Sequence, residues 1–203
     1  MRETHPFQGK HFPLSAFAGG GLIIMASCRL AFALAAAGAL LWVYMLSAFA
    51  ASAADVIFPK KGKSVVLLFL SSFIGSLYLL LLWFLSPLLG AQIMFITLLV
   101  PLVFTGSFAH KRANPGDALE AAAKACSEAL TLGLLVVAFS LIREPLGSLS
   151  LSLPGGVQGI VRIFSFEDGN FLPVRVVSSS AGAFILLGYG MGIYYRFNPG
   201  KKP

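Results

Sequence analysis

Glu120, Lys124 and Glu128 recur at four-residue spacing inside an otherwise apolar stretch. On a helix that spacing stacks them on one face, where each carboxylate can pair with the ammonium between them. Ionisable side chains are costly in a bilayer and turn towards protein or water, so this ladder is a candidate ion path for a cation or a proton. The plainer reading is a helix that projects from the membrane, with Glu120 and Lys124 solvated and Glu128 at the headgroups, because acids are favoured near a helix N-terminus. Arg143 and Glu144, at the far end of the same stretch, form a candidate interface pair that either closes the helix or positions a partner.

Other reactive chemistry is sparse. Cys28 and Cys126 stand far apart, outside any CxxC spacing, and read as small packing residues, although Arg29 beside Cys28 would favour its thiolate. His5, His11 and His110 share no metal-ligand spacing. Gly19-Gly20-Gly21 is followed by no Lys-Ser/Thr and is not a phosphate loop. Catalytic, cofactor-binding and metal-ligating roles are therefore assigned to no residue.

The elements that must carry these residues are membrane segments. Of 203 residues, 57% are hydrophobic and 11% charged, and the mean hydropathy is +0.84, outside the range of soluble domains. The formal charge of +7 resides mostly in the connections between apolar runs. Loop placement of that kind follows the positive-inside rule and argues against nucleic acid as a partner. The polar Met1–Lys10 stretch and the lack of a small-residue cleavage site do not make a signal peptide.

Six segments are expected, at about 12–27, 30–54, 64–85, 91–109, 118–142 and 176–197, in a single all-α integral membrane domain. The uncharged run Ala129–Ile142 is about 14 residues, short of the roughly 20 that span a bilayer, so the fifth helix must start near Ala118, with Asp117 as its N-cap and Pro145 and Gly147 as its stop. Pro13 and Gly19-Gly20-Gly21 in the first segment, and Pro101 and Gly106 in the fourth, predict two interrupted half-helix segments, although the glycines can also serve close helix packing. Their corresponding places in two groups of three suggest an inverted repeat. Residues 148–174 form the longest connection, an extracytoplasmic loop with an apolar Val157–Phe166 portion suited to the interface. Arg2, Lys10, Lys60, Lys61, Lys63, Lys111, Arg112, Arg196, Lys201 and Lys202 fall on one side, against Arg29, Arg143, Arg162 and Arg175 on the other, which places both termini in the cytoplasm.

Three stretches carry a family resemblance. They are Ser86-Pro87-Leu88-Leu89 through Leu99-Val100-Pro101-Leu102-Val103; Phe108-Ala109-His110-Lys111-Arg112-Ala113-Asn114 with the fifth helix and its Ile142-Arg143-Glu144-Pro145-Leu146-Gly147 exit; and Ser180-Ala181-Gly182-Ala183-Phe184-Ile185-Leu186-Leu187-Gly188. From about Pro13 to Phe197 the chain resembles the Rnf/Nqr family, most of all its RnfE/NqrD branch, whose sister branch is RnfA/NqrE. These are the paired six-helix subunits of ion-translocating ferredoxin:NAD and NADH:quinone oxidoreductases. The resemblance implies a multi-pass subunit of the cytoplasmic (inner) membrane, a homologous partner of opposite topology, and roles in electron and ion transport. It also implies an iron–sulfur cluster, held in the family by cysteines from the two broken segments of each partner. Here the first broken segment has no cysteine, and the matching place in the fourth is Ser107 or Leu99, depending on the alignment. The expectation is thus a translocase subunit that is accessory or structural and non-catalytic, with cluster and flavin in partner subunits. The alternative is a small inverted-repeat transporter or channel subunit without redox chemistry.

Overall fold

The computed structural model describes residues 12–54, 63–108, 118–156, 159–165 and 175–197. In order they form α1 (Phe12–Ala26), α2 (Leu30–Ala54), α3 (Lys63–Leu85), α4 (Pro87–Phe108), α5 (Ala118–Ser148), β1 (Ser150–Pro154), β2 (Ile160–Ser165), α6 (Arg175–Ser178) and α7 (Ser180–Phe197). Asp117, the three histidines and the loop and tail lysines from Lys60 to Lys202, apart from Lys63 and Lys124, lie outside the described residues.

The central contact is between α2 and α5. On α5, Ala122, Ala125, Ala129, Gly133, Val136 and Ser140 are buried at spacings of three or four, a single helical face. It meets the alanine-rich α2, in which Ala33, Ala36, Ala39, Leu40 and Val43 are buried. A Cβ on Gly133 would stand 3.1 Å from that of Ala37, so small residues set how closely the two backbones approach. Lipid is as apolar as leucine, so close van der Waals contact of this kind is what holds helices together in a membrane.

One residue, Ser86, joins α3 to α4. Its N–H bonds to the Leu82 carbonyl and its own carbonyl accepts from Gly90, while Pro87 occupies a first-turn position that needs no N–H donor. Helix α4 is continuous through Pro101, contrary to the interruption expected there. The Pro101 ring is accommodated because Gly75 of α3 faces it, with 3.4 Å from a Cβ built on Gly75 to Pro101 Cγ. Helix α1 is likewise unbroken through its three glycines; Gly19 and Gly20 face open space and Gly21 faces Leu99 of α4. The break that does occur is at Ser179, between α6 and α7 in the last segment. There the Ser179 hydroxyl accepts from Gly182 N–H and caps α7.

Among the described residues four helices are long and apolar enough to cross a membrane: Leu30–Ser52, Val65–Leu85, Pro87–Gly106 and Ala118–Ser148. Their outer faces carry exposed Phe69, Phe73, Trp83, Phe84, Phe95 and Leu134, as a lipid-facing surface requires. Helix α1 has 15 residues, about 22 Å at 1.5 Å per residue against a hydrocarbon core of about 30 Å. Within α7, 18 residues long, Ser180–Gly190 is a shorter apolar helix among the described residues. Within the described residues these two helices fall short of a full span, and four helices meet the length and composition of one.

The fold is mostly helical but not all-α. In the connection after α5, β1 and β2 pair antiparallel, with a register shift between Leu151 and Ser152. Helix α5 also runs on past Ile142 to Ser148, through the residues expected to stop it. Proline costs a helix one hydrogen bond, and here the side chains and carbonyls around it bond to neighbouring elements instead.

Candidate functional site

One end of the bundle gathers the C-termini of α1 and α5, the N-terminus of α2, the α6–α7 break and the hairpin. Arg143, 1% exposed, joins α1 and the α6–α7 break to α5. Its Nε donates to Val177 O at 2.9 Å. One terminal nitrogen donates to Ile24 O at 2.7 Å and Ser27 Oγ at 2.8 Å, and the other to Ser178 O and Ser179 O, both at 2.9 Å. All five guanidinium donors are thus used. Their acceptors are the Ser27 hydroxyl and four carbonyls at the end of α1 and at the break in the last segment, where backbone carbonyls are left over from the helices and carry partial negative charge.

Glu144 points the other way. Successive helical residues diverge by about 100°, so Glu144 falls on the α2-facing side in line with Val136 and Ser140. Its Oε2 accepts the N–H of Leu30, the first residue of α2, at 2.6 Å. The carboxylate caps that helix and answers the positive end of its dipole. Arg143 and Glu144 therefore act as two separate clasps from one helix end, holding α1, α2 and α6 to α5.

The next turn of α5 supports both. Gly147, four residues after Arg143, lies so close to α6 that a Cβ would be 2.6 Å from Ser178 Oγ and 3.0 Å from Ser178 N. Ser178 Oγ donates to Gly147 O at 3.0 Å. Gly147 is thus part of the helix, and its missing side chain lets α6 bring its carbonyls to Arg143. Ser148, four residues after Glu144, donates to Glu144 O at 2.9 Å. Leu149 then takes the left-handed conformation, φ 50°, with its N–H on Pro145 O, and turns the chain into β1. The αL region is uncommon for a bulky residue, but it is the geometry that ends many helices.

Against this wall the hairpin encloses a cavity of about 250 Å³, lined by Cys28, Arg29 and Glu144, by Ser148, Ser150 and Ser152, and by Ile160, Arg162 and Ser178. Ser150 and Ser152 share a face because strand side chains alternate. The register shift then pairs Ser152 with Arg162, which brings both to the cavity, as bulges commonly re-aim a side chain. Arg29 and Arg162 are exposed, and the Arg29 guanidinium lies 5.9 Å from the Phe32 ring centre. A larger groove of about 530 Å³ runs along α7 past Ile185, Gly188, Tyr189 and Gly192 to Arg196; it has one charged group and little to orient a ligand.

The structure brings Arg143 and Glu144 into this end but not the Glu120 ladder. Lys124 Nζ is 2.6 Å from Glu120 Oε1, with the two side chains 68% and 53% exposed on the outside of the chain. Glu128 is half-buried one turn further on. From Glu128 to Arg143 is about 22 Å along the helix, so the two groups serve opposite ends. Cys28 is exposed at the cavity rim and Cys126 half-buried in the opposite part of α5. Iron–sulfur clusters need several thiolates together. These two do not meet, and Leu99 rests on Gly21, so the described residues do not fit a cluster. Among them no three His, Cys, Asp or Glu residues gather as metal ligands.

In the sequence Arg162 and Ser152 belong to the long connection after α5, and Arg29 stands out only beside Cys28 and among the loop cations. The alternation Ser148-Leu149-Ser150-Leu151-Ser152-Leu153, followed by Pro154-Gly155-Gly156 and the β-branched Ile160-Val161, is a hairpin signal that points to Ser152 and Arg162, though not to Arg29. Comparison with known proteins gives no family model that matches the chain and no similar curated protein.

Proposed function

We propose that the chain is an accessory, non-catalytic membrane subunit of an ion-translocating electron-transfer complex of the Rnf/Nqr type. In this reading it sits in the cytoplasmic (inner) membrane as six segments in an inverted repeat, with both termini cytoplasmic. It assembles beside a homologous subunit of opposite topology, and cluster and flavin belong to its partners. The observation that carries the reading is the contact of α1 with α4 at Gly21 and Leu99. Those are the two segments to which the family resemblance assigns the cluster, and here an aliphatic side chain fills the junction. The Arg-Glu exit of α5, part of the same resemblance, supports it through its role as the clasp of three helices. A complex with redox partners would use such a rigid scaffold.

The test is purification of the tagged chain from native membranes in mild detergent, with iron, flavin and co-purifying subunits measured together. Recovery with flavin- and iron-bearing subunits is expected. Recovery of the chain alone, colourless and metal-free, would refute it. That result would favour the transporter or channel reading, which draws on the Glu120, Lys124 and Glu128 face. In a transporter, Glu128→Gln would impair ion movement without disturbing assembly.

A further inference from the structure

The cavity under the hairpin carries more positive charge than the clasp needs. Arg143 spends every donor, four on carbonyls and one on Ser27 Oγ, and Glu144 spends one oxygen on Leu30 N–H. Arg29 and Arg162 take no part in that network, yet both line the cavity. The serines divide in the same way. Ser148 gives its single proton to Glu144 O, so in its 3.1 Å contact with Ser150 the latter is the donor. Ser152, 2% exposed, has no hydrogen-bond partner for its Oγ among the described residues. Two guanidinium groups and a buried hydroxyl with an uncommitted proton are a donor set for an oxyanion.

Depth narrows the choice. Arg29 immediately precedes the apolar span that starts at Leu30, and Ser148 ends the span that starts at Ala118. The cavity is therefore level with the ends of the spanning helices, where lipid headgroups lie. Its volume, about 250 Å³, is that of about eight waters at roughly 30 Å³ each, which suits the phosphate, two carbons and nitrogen of an ethanolamine headgroup. Glu144 in the wall disfavours a second negative charge and favours a cation.

We propose that this cavity seats the headgroup of a zwitterionic phospholipid, its phosphate on Arg29, Arg162 and Ser152 and its ammonium beside Glu144. The bound lipid would fasten the hairpin over the helix ends. The site does not depend on the redox reading.

The test uses the full chain, delipidated in mild detergent. It is titrated with micelles of phosphatidylethanolamine, with micelles of phosphatidylglycerol and with inorganic phosphate, while bound phosphorus and thermal stability are followed. The comparison protein is Arg29→Gln/Arg162→Gln, whose changes fall on exposed side chains and leave Arg143 intact. Phosphatidylethanolamine should bind the unaltered chain at least about tenfold more tightly than the double variant, the loss expected for charge-assisted hydrogen bonds. It should also bind more tightly than phosphatidylglycerol. Equal retention by both proteins would overturn the oxyanion site. Preference for phosphatidylglycerol would overturn the place given to Glu144. Stabilisation by inorganic phosphate equal to that by lipid would assign the site to a soluble phosphate and overturn the headgroup reading.

Discussion

Replacing Arg143 with methionine tests the clasp most severely. Methionine fills similar space but donates nothing, so five hydrogen bonds are lost together. Ser179 O retains Ala183 N–H, and Ile24 O retains a long contact from Ser27 Oγ at 3.4 Å. Val177 O and Ser178 O have no other donor among the described residues. An unsatisfied buried carbonyl costs about 1–3 kcal/mol. Two complete losses and one partial loss, less the relief of no longer burying a guanidinium, leave a net destabilisation of about 3–5 kcal/mol, the size found when one partner of a buried charged network is removed. That is a large part of a typical stability of about 5–15 kcal/mol and corresponds to a fall in Tm of about 10 °C. Thermal unfolding of the detergent-solubilised protein, followed by size-exclusion of a fluorescent fusion, gives the midpoint. Hydrogen exchange over 175–183 locates the effect. Arg143→Lys, with three donors on one nitrogen, should fall between the two. If Arg143→Met unfolds within about 1 kcal/mol of the unaltered protein, with exchange at 175–183 unchanged, the clasp does not hold these helices.

Two further substitutions probe packing at separate places. Gly147→Val drives a side chain into Ser178 and should cost about 1–3 kcal/mol, whereas Gly19→Ala, which meets nothing within 4 Å, should be neutral or stabilising by about 0.5–1 kcal/mol; unfolding midpoints of the two variants decide. Tyr78→Phe removes the bond to Ala35 O at 2.8 Å and should cost about 1 kcal/mol. Gly38→Ala, whose Cβ would stand 2.7 Å from the same hydroxyl, should cost more, and a double-mutant cycle should show the two coupled because one atom is responsible for both.

What could be read in advance follows from the range of the forces involved. The long apolar runs and the alanine spacing of α2 and α5 are local patterns, and they made the spanning helices and the start of α5 at Ala118 legible. The end of α5 was not, because Pro145 and Gly147 are helix stoppers by propensity alone. What keeps them helical lies 30 residues or more away in Ser178 and more than 110 away in Ile24 and Leu30. Pro101 misled for the same reason, since the room for its ring comes from Gly75. Arg143 and Glu144 were visible as a pair at the helix exit, but the elements they hold were not, because a helix points neighbours apart and sends each to a different element. The Ser148–Ser152 alternation is legible as a strand pattern, but it is only five residues long and adjoins helix α5 directly.

In the proposed topology the clasp and its cavity face the side of the membrane opposite both termini, and thiol labelling tests that most directly. Cys28 and Cys126 are the only cysteines in the sequence. In a Cys126→Ser variant the exposed Cys28 at the cavity rim reports for that end alone. A membrane-impermeant maleimide added outside sealed right-side-out vesicles should label it without permeabilisation. Labelling only after the cytoplasmic face is opened, or no labelling from either face, would contradict the account.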